Sequence, residues 1–280
     1  MVSTLAVDTN DPTAVSSYAC DVFDKLGWAK SGAILKRLFR DVADLFAGKH
    51  AGYRAIDMGY HNLQHTLQAT ICLLEILAGR HRAGAVPALG QRDGELAVMA
   101  VLLHDTGFIK RLGDPAGTGA KYTLVHERRS CDFADEYLSG LGVSADEIRD
   151  VRDAINCTGP NNRLAKQSFR RPEARVLACI LVTSDYIAQM SAPDYPEKLP
   201  FLFLEFKEAF DHKGLPLKDR PYRSLRDLEK KTAEFWEQKV LPMLEIDAEG
   251  VYRYLSITGQ PNLYLQAVEQ NVARIRQRLQ

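Results

Sequence analysis

The run Leu96-Ala97-Val98-Met99-Ala100-Val101-Leu102-Leu103 ends abruptly in His104-Asp105-Thr106-Gly107. An unbroken apolar run of this kind belongs to an element buried on all sides. Read as a helix, it carries an imidazole and a carboxylate to the edge of a core. Two other segments resemble it. Tyr60-His61-Asn62-Leu63-Gln64-His65 supplies two histidines four apart, and Asp185 follows the apolar run Val176-Leu177-Ala178-Cys179-Ile180-Leu181-Val182. Imidazole and carboxylate suit divalent metals such as Zn, Mn or Fe. The pattern predicts a single metal site assembled from three helices.

Helical periodicity dominates the rest of the chain. Asp11-Pro12 reads as an N-cap and first helical residue, opening a helix to about Leu26. A second helix is expected from about Ser31 to Phe46, with Ile34, Leu35, Leu38, Val42 and Leu45 on one face. A third begins near His61 and continues through Leu67, Ile71, Leu74 and Leu77, followed by a loop from Gly79 to Gly90. After the His104-Asp105 helix comes a glycine-rich segment, Gly113 to Gly119, and then a helix from about Leu124 to Leu138 with His126 in its first turn. Ser144-Ala145-Asp146-Glu147 is a capping box. Pro172 opens the helix that carries Asp185, and further helices are expected near Leu199–Phe210, Leu225–Val240 and Pro261–Leu279. Glu249–Leu255 is the one weak strand candidate. These features predict an all-α chain: a loose arm over residues 1–10, then a single helical domain over 11–280. Its metal-site core covers about 50–190 and its C-terminal helices about 196–280.

Lysine plus arginine equals aspartate plus glutamate, so the net charge is zero and there is no overall basic footprint for nucleic acid. Cys20, Cys72, Cys131, Cys157 and Cys179 are odd in number, widely spaced and mostly set among apolar residues. They read as reduced core residues of a cytoplasmic protein. No segment reads as a membrane span or as a signal peptide. An oligomeric state does not follow from the sequence.

Each candidate residue has a plainer alternative. His61 and His65, at i and i+4, share one side of a helix. They could bind one metal, or divide metal binding and proton donation, or merely cap. His104 near a helix end is an ordinary C-cap residue, but Asp105 there opposes the helix dipole, which points to a nearby cation. Asp185 within a buried helix must be paired or bound to metal. Gln189, one turn further on, could line the cavity as an amide donor. His126 could serve a second metal, bind a substrate phosphate at a helix N-terminus, or cap its neighbours. Lys110 and Arg111 are candidate phosphate-binding cations or solvated surface residues. His50, His81 and His212 read as surface residues.

His65, His104-Asp105 and Asp185, in this order and on predicted helices, resemble the HD-domain superfamily of metal-dependent phosphohydrolases across residues 50 to 190. Tyr60-His61-Asn62-x-x-His65 also resembles the YHNxxH motif of the cyclic nucleotide phosphodiesterases. The resemblance implies an HD-type, phosphodiesterase-like helical fold. His65, His104, Asp105 and Asp185 would be metal ligands and His61 the general acid. It implies a divalent transition ion (Zn, Mn, Fe or Ni), with Mg at a weaker second site as a further option. The activity implied is hydrolysis of a phosphoester of a nucleotide or another small phosphorylated metabolite. Gln68 stands where the phosphodiesterase motif has an aspartate. Ile155-Asn156-Cys157-Thr158-Gly159 occupies the place where many two-metal relatives have a histidine. Two other functions fit the same pattern: a mixed-valent di-iron oxygenase, as some relatives are, and a non-catalytic regulatory or binding module.

Overall fold

In the computed structural model, which describes residues 7–159, 164–256 and 260–280, local sequence signals set most helix ends. Asp11 accepts from the Thr13 N–H at 2.8 Å, Pro12 takes the first helical position, and α1 runs Pro12–Lys25. α2 (Gly32–Phe46) buries Leu35, Leu38, Val42 and Leu45 on one stripe, with Phe39 beside them. α3 spans Leu63–Arg82, α4 Gln91–Leu103, α5 His126–Gly140 and α6 Ala145–Ile155. Ser144 and Glu147 form the expected capping box at the start of α6. α7 covers Pro172–Ser191, α8 Tyr195–His212 and α9 Leu225–Phe235. A π turn, Trp236–Val240, links α9 to α10 (Leu241–Ile246), and α11 closes the order at Leu263–Leu279. The fold is all-α. Among the described residues, extended pairing is limited to one isolated antiparallel bridge between Tyr53 and Arg111.

Two helices with little polar surface make the centre. Gly94 through Leu103 of α4 and Val176 through Asp185 of α7 are buried without interruption. α7 packs on α3, α4, α6 and α11, and its broadest contact is with α3. Each large apolar side chain removed from water here stabilises the fold by about 1.5–3 kcal/mol. Asp185 is therefore held inside the core by strong packing on both sides, and its charge must be answered locally.

Four expectations change. The third helix starts at Leu63, because Asn62 is its N-cap and leaves His61 outside the helix. It also runs on to Arg82, so the loop opens after Gly79 rather than at it. Gly79 is needed within that helix because a Cβ there would lie 1.9 Å from the Tyr254 carbonyl oxygen. The strand candidate Glu249–Leu255 is instead a 3-10 turn, Val251–Leu255, laid against α3. Of the expected arm, residues 1–6 lie outside the described residues, and Val7 already packs against the core. Cys72, Cys131, Cys157 and Cys179 are buried as expected. No single helix among the described residues is long and apolar enough to cross a membrane. α7 and α8 meet that measure only together, across a 115° bend.

Candidate metal centre

The chain has seven histidines, and His61, His65, His104 and His126 gather in one place. His50, His81 and His212 are exposed, as expected. His65 stands at the third position of α3, and its own N–H is capped by the Asn62 side chain at 3.2 Å. That cap explains the Asn-x-x-His spacing: it fixes the start of α3 and so the ring that follows. The His65 Nε2 lies 3.1 Å from Asp185 Oδ1 and 3.4 Å from Asp105 Oδ2.

His104 caps the C-terminus of α4. Its Nδ1–H donates to the Val101 carbonyl at 2.7 Å, since a carbonyl can only accept. Its Nε2 then faces Asp105 Oδ2 at 3.3 Å and Asp185 Oδ1 at 3.6 Å. Backbone anchoring of the outer nitrogen is how metal-binding imidazoles are usually oriented. One donor atom each from His65, His104 and Asp185 lies within 4.8 Å of the others, and Asp105 approaches both rings from its own side. Ligand distances of about 2.0–2.1 Å around a tetrahedral ion place donors about 3.3 Å apart. The observed separations bracket that figure.

The donor chemistry also fits. His104 Nε2 and Asp105 Oδ2 are fully buried without a hydrogen-bond partner. Orphaned polar atoms in a core are costly, and their pairing with a cation removes the penalty. Burial pulls the His104 imidazole down, but the adjoining Asp105 and Asp185 carboxylates outweigh it and carry it up to about 9. Burial pushes Asp185 up, yet the adjoining His104 and His65 imidazoles hold it far below the usual carboxylate range. Such a negative pair attracts positive charge, and a divalent ion answers the same potential.

His61 reaches the site from the segment before α3. Its ring lies 5.6 Å from that of His65, edge to face. Glu205 of α8 holds it, with Oε2 2.6 Å from His61 Nδ1 and Oε1 accepting from the Tyr60 N–H at 2.7 Å. Burial works against the charged ring, and the Glu205 carboxylate overrides it, keeping the imidazole above its ordinary value. Sequence reasoning did not single out Glu205. A signal existed: Leu202, Glu205, Phe206 and Ala209 recur at helical spacing, so a carboxylate stands in an inward stripe.

Phe108 is the other unforeseen member. It is fully buried and sandwiched between His61, at 4.7 Å between ring centroids, and His126, at 4.3 Å. Gly107 brings His126 this close, because a Cβ at Gly107 would sit 1.9 Å from the His126 carbonyl oxygen. The Gly107 N–H also donates to Ser130 Oγ at 2.8 Å, tying the turn to α5. His126 donates from Nδ1 to the Thr123 carbonyl at 2.8 Å, leaving Nε2 3.8 Å from Asp105 Oδ1. Gln189 lines the cavity but is partly committed: it accepts from the Tyr60 hydroxyl at 2.6 Å and donates to the Asp185 carbonyl at 3.0 Å.

Lys110 is a correction. It is buried away from the cavity, where its ammonium pairs with Asp57 at 2.7 Å and donates to the Gly117 carbonyl. Its partners lie in flanking loops, and they convert a cation that looked exposed into a brace. Arg111 packs over the Tyr53 ring at 5.2 Å and is likewise outside the cavity lining.

The cavity above the donors measures about 300 Å³ and includes His61, Asp105, His126, Asp185 and Gln189 in its wall. Much of the remaining wall comes from α7, α8 and α9. No curated protein matches the chain. The profile of a family described as Npun_R2479-like matches residues 114–278, which takes in Asp185, His126, Glu205 and those walls but begins after His65 and His104-Asp105. That match covers more than half the sequence, and the chain belongs to the Npun_R2479-like family.

Proposed function

We propose that this protein is a metal-dependent phosphoester hydrolase of the HD-domain kind, acting on a small molecule in the cytoplasm. The observation that carries the reading is the convergence of His65, His104, Asp105 and Asp185 on one another, with Asp105 and Asp185 also lining the cavity. When bound there, a divalent transition ion (Zn, Mn, Fe or Ni) supplies a Lewis acid and an acidified water.

The chain's own residues do the rest. His104 is oriented by Val101, and Asp185 is steadied by Gln189, whose amide is in turn fixed by Tyr60. When protonated, His61 donates to Glu205 from Nδ1, which leaves Nε2–H as the remaining proton donor. In ester cleavage the phosphorus–oxygen bond to the leaving group breaks as the bond to the water oxygen forms. The His61 proton passes to the leaving oxygen, and the Glu205 carboxylate on Nδ1 favours the protonated ring that a general acid needs. The di-iron oxygenase alternative needs a second well-ligated iron. Among the described residues, the one group of imidazole and carboxylate donors close enough to share an ion is His65, His104 and Asp185, so we favour one tightly held ion.

The test is a screen of metal-loaded protein against phosphomonoesters, phosphodiesters and nucleotides, with metal analysis alongside. Activity on at least one ester class is expected, and Asp105→Ala should lose activity and metal together. Full metal occupancy in Asp105→Ala, or no ester hydrolysis with any of the four ions, would overturn the proposal.

A further inference from the structure

Outside the donor cluster the cavity wall is largely aromatic. Phe206 stacks beside Phe210 at 5.9 Å and meets Tyr222 at 5.0 Å, while Tyr186 packs against Phe235 at 6.0 Å. Three threonines also face the cavity, yet their hydroxyl protons are used elsewhere. Thr123 donates to the Ala120 carbonyl, Thr158 to that of Ile155 and Thr232 to that of Leu228. They offer no free donor to an occupant.

Among the described residues, no lysine or arginine lines the cavity. The cations that flank lining residues have partners of their own. Arg220 pairs with Asp211 at 2.6 Å, and Arg223 donates to the Lys218 carbonyl at 2.9 Å. Lys231, 5.9 Å from the Tyr222 ring centroid, pairs with Asp227 at 3.1 Å and donates to the Pro221 carbonyl at 2.6 Å. Lys110 is held by Asp57. Arg129 donates to the carbonyls of Gly107 and Ile109 and lies 3.6 Å from the Tyr122 ring centroid. A divalent ion on the floor is balanced by the Asp105 and Asp185 carboxylates, and His61 by Glu205. Among the described residues an entering dianion therefore finds no surplus positive charge, and desolvating it without compensation is unfavourable.

We infer that the occupant is amphipathic: a neutral or singly charged reacting head joined to an uncharged aromatic or alkyl body that lies against Phe206 and Tyr222. The cavity has the room, since one of about 150 Å³ already accepts benzene. This assignment rests on the proposed reading of the floor as a metal centre. It disfavours phosphate monoester dianions and nucleotides bearing several charges as substrates.

Calorimetry on zinc-loaded protein tests it by binding rather than turnover. Methyl(phenyl)phosphinate, which has no ester bond to cleave, carries one charge and a ring. Dimethylphosphinate carries one charge and no ring. Phenylphosphonate at mildly alkaline pH and adenosine monophosphate carry two charges. The ring should tighten binding about tenfold or more, as expected for burying an aromatic side. The singly charged ring compound should also bind more tightly than either dianion. Phe206→Ala and Tyr222→Leu, made separately and each checked for an unchanged circular dichroism spectrum, should remove most of the ring's advantage while sparing the ring-free compound. A ring that adds nothing, a dianion that binds best, or two folded wall variants that keep the full preference would each overturn the inference. If the ring compound binds as expected but no phosphoester is turned over, the occupant assignment stands and the hydrolase proposal fails. If adenosine monophosphate is turned over and the ring adds nothing to binding, the hydrolase proposal stands and the occupant assignment fails.

Discussion

At the residue scale, His61 and His65 sit near each other but are held by different means. His65 is fixed from within its helix and faces two carboxylates, whereas His61 is fixed from across the molecule by Glu205. Proton donation and metal binding should therefore separate on mutation. His61→Ala is expected to keep its metal and lose roughly 10²–10⁴-fold in turnover on an unactivated ester. The loss should shrink on a nitrophenyl ester, whose leaving group needs little protonation. Glu205→Gln retains an acceptor for the ring and should cost less activity than Glu205→Ala. Metal analysis with rates on both esters decides: equal losses on the two substrates, or metal loss from His61→Ala, would show that His61 is not the acid. His65, His104, Asp105 and Asp185 could be read from sequence because their chemistry is intrinsic and each adjoins a recognisable apolar run. Glu205 could be seen only as a charge in an inward stripe, since its partner lies 144 residues away.

At the element scale, the short turn after α4 does more than end a helix. Thr106-Gly107-Phe108 passes beneath the N-terminus of α5, and the missing side chain of Gly107 sets how closely His126 approaches. The same turn delivers Phe108 between the two imidazoles. Gly107→Ala forces a methyl group against the His126 carbonyl, so α5 must move or the turn must deform. Overpacking of this kind costs about 1–3 kcal/mol. Thermal unfolding should show a melting temperature several degrees lower. A variant that melts with the wild type would mean that the turn relaxes freely and that the close contact has no structural weight. The boundary of α3 is likewise set by a single side chain. Periodicity suggests a start at His61, but Asn62 takes the N-cap and shifts it to Leu63. A cap side chain competes with periodicity over the last few residues, and hydrogen bonding decides.

At the scale of the whole molecule, α3, α4 and α7 bring their donors together only when the core is formed. An ion that binds the folded state and not the unfolded chain must then stabilise the fold. Free metal at about 100 times its dissociation constant adds about 2.7 kcal/mol. For a chain of this size that corresponds to a rise of roughly 5 °C in melting temperature. Adding a chelator to loaded protein should reverse the rise, and His104→Ala should abolish the difference between loaded and stripped samples. Identical melting of loaded and chelated wild type would remove the four donors as a metal centre. The family match also divides the site. Residues 114–278 contain the walls and Glu205, while three of the four donors lie before them.

The all-helical character and the candidate ligand residues can be read from the sequence alone. Apolar periodicity and caps act over a few residues, and imidazole and carboxylate keep their ligand chemistry wherever they stand. The pairing of charges does not follow, because it depends on which surfaces meet. Lys110 looks like a free cation beside the motif and proves to be neutralised by Asp57. His61 looks like the first residue of a helix and proves to be a loop residue held by α8. The aromatic wall is likewise a tertiary product, assembled from α7, α8, α9 and the Pro221-Tyr222 segment, none of which carries a signal for it in isolation. Burial and compensation are properties of the closed core, and only its closure decided which of the candidate residues face the cavity.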